Sequence, residues 1–173
     1  MLYVVVCAAG ATRLVPDCFL PVAAERGWDT YVLATEQAAD AFGPTMREIE
    51  AATGRPVRTG FHTTVGYSLP DPDAVIVAPA TFNTIRKMAL GVADTYVLTR
   101  IAEQVGRGVP IVVGPYVNAD FARHPVYEAS LATLREWGVR IIVGPREPHT
   151  PGGSAAEGFP WAELLDAVEP DTN

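Results

Sequence analysis

The residues best suited to holding a polar ligand follow a short apolar run in the middle of the chain. Thr81, Asn83 and Thr84 come soon after residues 75–77 and lead into a helical pattern. The first N–H groups of a helix lack backbone partners, and with nearby hydroxyl and amide groups they can hold an anionic or polar ligand. We therefore predict a ligand-binding loop at residues 79–84.

Three further loops follow apolar runs and carry similar chemistry. Gly10 and Thr12 follow the run 2–8, where a glycine permits close backbone approach and a hydroxyl can donate to a phosphate. Thr35 follows the run 28–34 and could either bind a ligand or simply cap the next helix. Asn118 lies in the loop after the run 109–114, where asparagine is also a common turn former.

The apolar runs alternate with helical patterns along the chain. Strands separated by helices favour a parallel sheet that is covered on both faces and binds ligands beyond the carboxyl ends of its strands. We predict an α/β fold, a Rossmann-like three-layer sandwich with a mainly parallel central sheet. Strands are expected at 2–8, 28–34, 75–77, 109–114 and 139–143, and helical segments at 13–26, from 35 onward, 94–106, 125–137 and 161–168.

Local signals predict several boundaries. Pro79 lacks an amide hydrogen and is expected to end the central strand. Thr45 and Glu48 match a capping box, and Gly54 supplies a helix stop. Residues 55–73 are assigned to loops, and the turn-rich segment 146–158 to a mobile lid.

Composition limits the function classes. The chain has 173 residues with 49% hydrophobic content, which suits one domain over residues 1–173. A net charge of -7 disfavours general attraction to nucleic acid or an anionic membrane, and no apolar run is long enough for a membrane helix. A cytoplasmic protein is therefore expected. Cys7 and Cys18 have no metal-like spacing and are interpreted as buried thiols, so no metal is expected.

The central ligand loop resembles a known family. Pro79, Ala80, Asn83 and Thr84 are in register with the motif Pro-Ala-Ser-Ala-Asn-Thr of the FMN-binding cysteine decarboxylases, and the likeness continues to Asp94. The family includes phosphopantothenoylcysteine decarboxylases and peptidyl-cysteine decarboxylases. Thr81 and Phe82 replace Ser and Ala of the motif. The resemblance extends more weakly over residues 2 to about 168.

The resemblance implies FMN as the cofactor. The loop that contains Gly10 and Thr12 departs from the family's Gly-Ser-Ile-Ala pattern. The segment from Thr35 is similar to the family's Thr-Glu-Ala-Ala. The implied contacts are with Gly10, Ala11, Thr12, Thr35, Ala80, Thr81, Asn83 and Thr84.

The loop after the fourth strand resembles the family's substrate clamp, Pro-x-Met-Asn-x-x-Met-Trp. Pro115 and Asn118 match it, Val117 replaces the first Met, and Phe121 replaces the second. Asn118 is implied to be catalytic, because its amide can orient a substrate carboxylate without a charge that would oppose its departure as carbon dioxide. Pro115, Val117, Asn118 and Phe121 are the implied substrate-binding residues, and loss of the bulky Met-Trp ending suggests an altered substrate.

The implied proton acceptor is a histidine before the central strand. His62 is the candidate, although the register of the motif falls on Val65, and His62 could equally be a surface residue. His124 and His149 are alternative titratable groups. The reactive lid cysteine of phosphopantothenoylcysteine decarboxylases has no counterpart, since the region reads Gly152-Gly153-Ser154.

The resemblance therefore implies an FMN-dependent oxidative decarboxylase of a cysteine-derived or C-terminal peptidyl-cysteine thiol carboxylate. Flavin would accept a hydride from the carbon that bears sulfur, and carbon dioxide would leave because the thiocarbonyl absorbs the released electrons. The implied assembly is a homotrimer or homododecamer with FMN at the subunit interface, to which residues 14–22 could contribute if they are not core. The alternatives are a non-decarboxylating FMN protein, either a flavin oxidoreductase or a regulatory subunit, and, more remotely, another nucleotide-binding module.

Overall fold

A computed structural model describes residues 1–61, 69–144, 148–150 and 156–168. Its strands form one sheet with every paired neighbour parallel, in the order β2-β1-β3-β4-β5. This arrangement confirms the predicted Rossmann-like α/β fold. The strands are β1 (Leu2–Val6), β2 (Thr30–Ala34), β3 (Ala74–Ala80), β4 (Ile111–Pro115) and β5 (Arg140–Ile141).

The helices alternate with these strands along the chain. Between β1 and β2, a 3-10 turn (Gly10–Leu14) and a π turn (Val15–Phe19) precede the first α-helix, so the predicted helix over 13–26 is broken into three pieces. Pro16 and Pro21 each stand at the start of a piece, where a missing N–H is tolerated. The α-helices are α1 (Leu20–Glu25), α2 (Glu36–Ala41), α3 (Gly43–Thr53), α4 (Phe82–Ala89), α5 (Tyr96–Arg107), α6 (Ala119–Ala122), α7 (Pro125–Glu136) and α8 (Trp161–Asp166).

Two apolar cores cover the two faces of the sheet. Because successive side chains of a strand point to opposite faces, Leu2 and Val4 enter one core while Tyr3 and Val5 enter the other. Helices α1, α3 and α8 bury side chains in the first core, and α4, α5 and α7 in the second. Burial on both faces explains the continuous apolar character of these strands.

The central strand does not end at Pro79 as predicted. β3 continues to Ala80, which pairs with Pro115, and the ladder to β4 shifts register between Val77 and Ala80. The Ala78-Pro79 peptide is cis. Pro79, which has no amide hydrogen to donate, lies within this register shift. Beyond it, the amide of Tyr116 donates to the Ala80 carbonyl at 2.8 Å. The ligand loop therefore begins at Thr81 instead of at Pro79 as predicted.

Three smaller predictions also need correction. The predicted capping box fails because α3 begins at Gly43 with Phe42 as its N-cap, which places Thr45 inside the helix and buried. The last strand covers Arg140–Ile141 instead of residues 139–143. Cys7 is buried as predicted, but Cys18 is exposed. Gly54 does end α3, with a positive φ of 66°.

No helix in the described part of the chain has the length and apolar character needed to cross a membrane. Among the same described ranges, no cluster of three or more His, Cys, Asp or Glu side chains could hold a metal ion.

Candidate functional site

A cleft of about 210 Å³ opens at the carboxyl edge of the sheet. Parallel strands end at the same edge, so the loops after β1, β3 and β4 meet there and are joined by the segment 148–150. Among the residues that the structure describes, the lining is formed by Ala8, Ala9, Gly10, Thr81, Phe82, Tyr116, Val117, Asn118, Phe121 and His149. The structure thus brings together residues from three of the four predicted ligand loops, namely the loops after β1, β3 and β4.

The loop after β1 presents backbone to the cleft. A Cβ atom on Gly10 would lie 3.2 Å from the Tyr116 hydroxyl, so glycine allows these two loops to approach closely. Ala11 and Thr12 are fully buried, and the Thr12 hydroxyl donates to the Cys7 carbonyl at 2.6 Å. The predicted donation from Thr12 to a phosphate is therefore not available in this geometry, because the hydroxyl proton serves the loop itself.

A chain of thiol and hydroxyl groups, buried at Cys7 and Thr84 and partly buried at Thr81, connects the loop after β1 to the loop after β3. The Cys7 thiol donates to Thr84 Oγ1 at 3.3 Å, and the Thr84 and Thr81 hydroxyl oxygens lie 3.1 Å apart. Thr81 also caps α4 by accepting from the Thr84 amide at 3.5 Å. Burial raises the pKa of Cys7, and this effect outweighs the hydrogen-bonding interactions with Thr84 and Thr81, which lower it. The thiol therefore acts as a neutral structural group.

A second, smaller cavity lies beside the cleft. Its volume is about 50 Å³, and Thr35, Asn83 and Thr84 are among its lining residues. Thr35 caps α2 by accepting from the Ala38 amide at 3.2 Å, so its hydroxyl proton remains able to donate. Two of the predicted cofactor residues, Gly10 and Thr81, thus line the cleft, and three line the smaller cavity. The Thr81–Thr84 hydroxyl pair links the two groups. Ala80, another predicted cofactor residue, is fully buried at the end of β3.

Asn118 is fixed by the short helix that it caps. Its Oδ1 accepts from the amides of Asp120 at 3.1 Å and Phe121 at 2.9 Å. These bonds use the side-chain oxygen and leave the two amide hydrogens to donate elsewhere. The loop is held from its other side, because the amide of Ala119 donates to the His149 carbonyl at 2.8 Å. Asn118 therefore offers a neutral, preorganised donor at the cleft.

Val117 and Phe121 complete this wall of the cleft, whereas Pro115 is not among its described lining residues. Pro115 is the last residue of β4. Val117 is largely buried and lines the cleft. Phe121 lies in α6 and is half-exposed. Tyr116, which sequence reasoning missed, points its hydroxyl toward Gly10; its position between two predicted clamp residues was the available signal.

The three histidines have different positions. His62 lies outside the described residues, as do parts of the predicted lid at 146–147 and 151–155. His149 lines the cleft, and its Nδ1 is 2.9 Å from the Thr150 carbonyl oxygen. His124 caps α7 through Nδ1, which accepts from the Val126 amide at 3.3 Å, and its ring lies 5.4 Å from that of Phe82. Among the described histidines, His149 is the one at the cleft.

The residues at this edge fit a flavin nucleotide. The start of α4 offers free N–H groups beside the Thr81 hydroxyl, and Gly10 lets the opposite loop approach closely. Aromatic and aliphatic side chains provide the remaining walls. Such a donor set suits a ligand with a flat ring system and an anionic phosphate.

Comparisons with known proteins agree with this assignment. A family model described as Flavoprotein matches residues 4–170. The chain is 33% identical over 135 residues to the coenzyme A biosynthesis bifunctional protein CoaBC of Thermococcus kodakarensis, which covers 75% of this chain and 32% of that protein. This chain spans about a third or less of the length of the first curated relatives that it matches.

Solved structures share the fold over nearly the whole chain. The FMN-dependent cysteine decarboxylase SpaF superposes with a TM-score of 0.73 at 25% identity, covering 97% of each chain. A dodecameric FMN-dependent Ubix-like decarboxylase from Escherichia coli O157:H7 gives a TM-score of 0.70 at 17% identity, covering 96% of this chain and 92% of the other. The second likeness concerns the fold alone.

Proposed function

Because the chain belongs to the Flavoprotein family, we propose that it is an FMN-dependent oxidative decarboxylase of a thiol carboxylate, either a cysteine derivative or a peptide with a C-terminal cysteine. FMN as the cofactor is supported by the family and by the likeness to SpaF. The observation that carries the proposal is the convergence of the Thr81 loop and the Asn118 amide on one cleft.

The loops after β1 and β3 would hold the cofactor. Gly10 contributes an accessible backbone, and the free N–H groups at the start of α4 favour an anionic group. Thr81 adds a hydroxyl on the cleft side, while Thr35 and Asn83 add polar groups on the side of the smaller cavity. When bound, FMN supplies the two-electron oxidation of the substrate.

Asn118 would orient the substrate carboxylate. Its oxygen is occupied by the amides of α6, so the Nδ2 hydrogens are the groups left to donate to a substrate oxygen. A neutral donor positions the carboxylate but does not stabilise its charge as strongly as a cation would, and therefore opposes its departure less.

His149 is the described residue best placed to accept a proton from the substrate thiol. If Nδ1 donates to the Thr150 carbonyl 2.9 Å away, the other ring nitrogen, Nε2, is left unprotonated and able to accept. His62, implied by the family resemblance, stays a prediction because it lies outside the described residues.

Two substitutions of Asn118 test the proposal. Asn118→Ala removes both the cap and the amide donors, whereas Asn118→Asp keeps an acceptor for the cap but replaces the donors by a repelling carboxylate. We expect both variants to reduce kcat/KM for a cysteine-ended peptide by roughly ten- to a hundredfold, the range for a lost hydrogen bond to a charged group.

The assay is mass spectrometry of the peptide product. Loss of carbon dioxide and two hydrogens lowers the peptide mass by about 46 units. Unchanged masses over a panel of cysteine-ended peptides and small thiol acids, with FMN bound, would reject the proposed reaction. Full activity of Asn118→Asp would reject the donor role alone.

A further inference from the structure

Three aromatic rings form a column beside the cleft, which we call the Phe121–Phe82–Tyr127 column. The rings of Phe121 and Phe82 are stacked with centroids 4.7 Å apart and an interplanar angle of 21°. Phe82 and Tyr127 are also nearly parallel, at 6.3 Å and 22°. The His124 ring meets Phe82 edge-on at 5.4 Å. These separations are typical of favourable aromatic pairs.

The column runs from the core to the surface. Tyr127 is only 6% exposed, Phe82 is partly buried, and Phe121 is 46% exposed. Burial raises the pKa of Tyr127 to about 12, further above neutral pH than the ordinary tyrosine value, and the base of the column is uncharged at neutral pH. The contact with Tyr127 therefore helps to hold the Phe82 ring in place, and the Phe121 ring retains exposed aromatic surface.

The outer two rings stand next to the group assigned to the substrate carboxylate. Phe82 and Phe121 both line the cleft with Asn118. The amide of Phe121 donates to Asn118 Oδ1 at 2.9 Å, so one short helix sets the position of both the ring and the amide. A substrate held by its carboxylate at Asn118 would bring its adjoining group close to Phe121.

The charge of the cleft also restricts what that group can be. The ten described residues that line the cleft include no Lys or Arg, and Arg123, which follows α6 in the sequence, is paired with Asp120 at 2.5 Å. Burying an anionic group against uncharged aromatic surface is unfavourable, whereas a flat apolar group gains contact there.

We infer that Phe82 and Phe121 are specificity-determining residues, and that they select a thiol carboxylate with an aromatic group next to its cysteine moiety over one with a phosphate or carboxylate there. The inference rests on the proposed function. Both residues stand where the related family motifs have Ala and Met, so the contacting pair is a feature of this chain.

The test compares matched dipeptides on the FMN-loaded protein. Acetylated Phe-Cys, Ala-Cys and Glu-Cys are assayed for loss of mass, with wild type, Phe82→Leu, Phe121→Leu and the double variant. Leucine keeps apolar bulk but removes the flat face. We expect wild type to prefer Phe-Cys to Ala-Cys by roughly two- to tenfold in kcat/KM, which matches the range for one aromatic contact.

The preference should fall toward unity in either single variant, with little further change in the double variant, because the two rings act as one stack. Phe61→Leu is the control, since Phe61 is exposed, its ring contacts Tyr96, and neither residue is among the described residues that line the cleft. Equal use of the dipeptides by wild type would overturn the inference. So would a preference that survives in Phe121→Leu, or a Phe121→Leu variant that changes only the state of assembly.

Binding of serine-ended dipeptides separates this inference from the proposed reaction. These analogues keep the carboxylate and the neighbouring group but lack the thiol, and calorimetry measures their affinity. If no cysteine-ended substrate is decarboxylated but the preference for Phe-Ser over Ala-Ser persists and depends on Phe121, the proposed reaction fails while the selectivity stands. If decarboxylation occurs without any aromatic preference, only the selectivity fails.

Discussion

Cys7 has the residue type of a nucleophile but the surroundings of a structural group. It is fully buried, donates to Thr84, and burial raises its pKa, so the reactive thiolate is suppressed at neutral pH. We expect native protein carrying Cys18→Ser to incorporate no maleimide at pH 7, and the urea-unfolded protein to incorporate one. Intact mass spectrometry gives the count.

Raising the pH extends the same test. The folded Cys7 thiol, whose pKa is raised, should remain unlabelled at a pH where the unfolded thiol reacts rapidly. One adduct on the native Cys18→Ser protein within minutes would contradict the buried, neutral role. The exposed Cys18 in wild type supplies the positive control for the reagent.

Thr81 shows how an element and a binding site share one side chain. Its hydroxyl caps α4 and also lines the cleft. Thr81→Ala should lower the free energy of unfolding of the apo protein by about 1 kcal/mol, the usual cost of losing a hydroxyl cap. It should also weaken FMN binding. Urea unfolding of apo protein and quenching of FMN fluorescence measure the two effects separately.

Thr81→Ser is the matched control for that substitution. Serine keeps the hydroxyl and is the residue of the family motif, so we expect near-normal stability and FMN affinity. If Thr81→Ala loses stability but binds FMN as wild type does, Thr81 is a cap alone and the cofactor contact assigned to it is wrong.

The sheet was predictable from sequence because its apolar runs are short, rich in β-branched residues and separated by helical patterns. The convergence of Gly10, Thr81 and Asn118 was also predictable, since parallel strands end at one edge. Boundaries were less so. Thr45 matched a capping box, but the start of α3 at Gly43 decides which residue is the cap.

Side-chain hydrogen bonds explain the rest of the difference at the site. No local pattern shows that the Thr12 hydroxyl donates to the Cys7 carbonyl, or that Thr35 and Asn83 face a second cavity. The continuation of β3 through Pro79 depends on a register shift against β4, a neighbour that is distant in sequence.

At the scale of the whole molecule, residues 14–22 contribute mainly to the core. Val15, Phe19 and Leu20 are buried in the first core, while Asp17 and Cys18 are exposed. From the sequence, the apolar residues of this segment could belong either to the core or to a subunit interface. Most of them belong to the core. Other large apolar side chains, including Leu90 and Trp137, are exposed on the single chain.

We predict that the FMN-loaded protein is a trimer or a dodecamer, as the family resemblance implies. Light scattering coupled to gel filtration should give about three or twelve times the 18.5 kDa mass of this chain. The FMN-to-chain ratio is measured from the absorbance of the same peak. A stable monomer with full FMN occupancy would contradict an interfacial cofactor site.

The strand order has a consequence for how the chain emerges from the ribosome. β1 lies between β2 and β3, and Leu2 pairs with both Thr30 and Ala74. One edge of β1 can form its hydrogen bonds once β2 has been synthesised. Its other edge stays unpaired until β3, residues 74–80, has also been synthesised. During that interval the unpaired edge of this apolar strand can pair wrongly with other nascent chains. Recombinant yield should therefore respond to chaperone supply and to slower growth at low temperature.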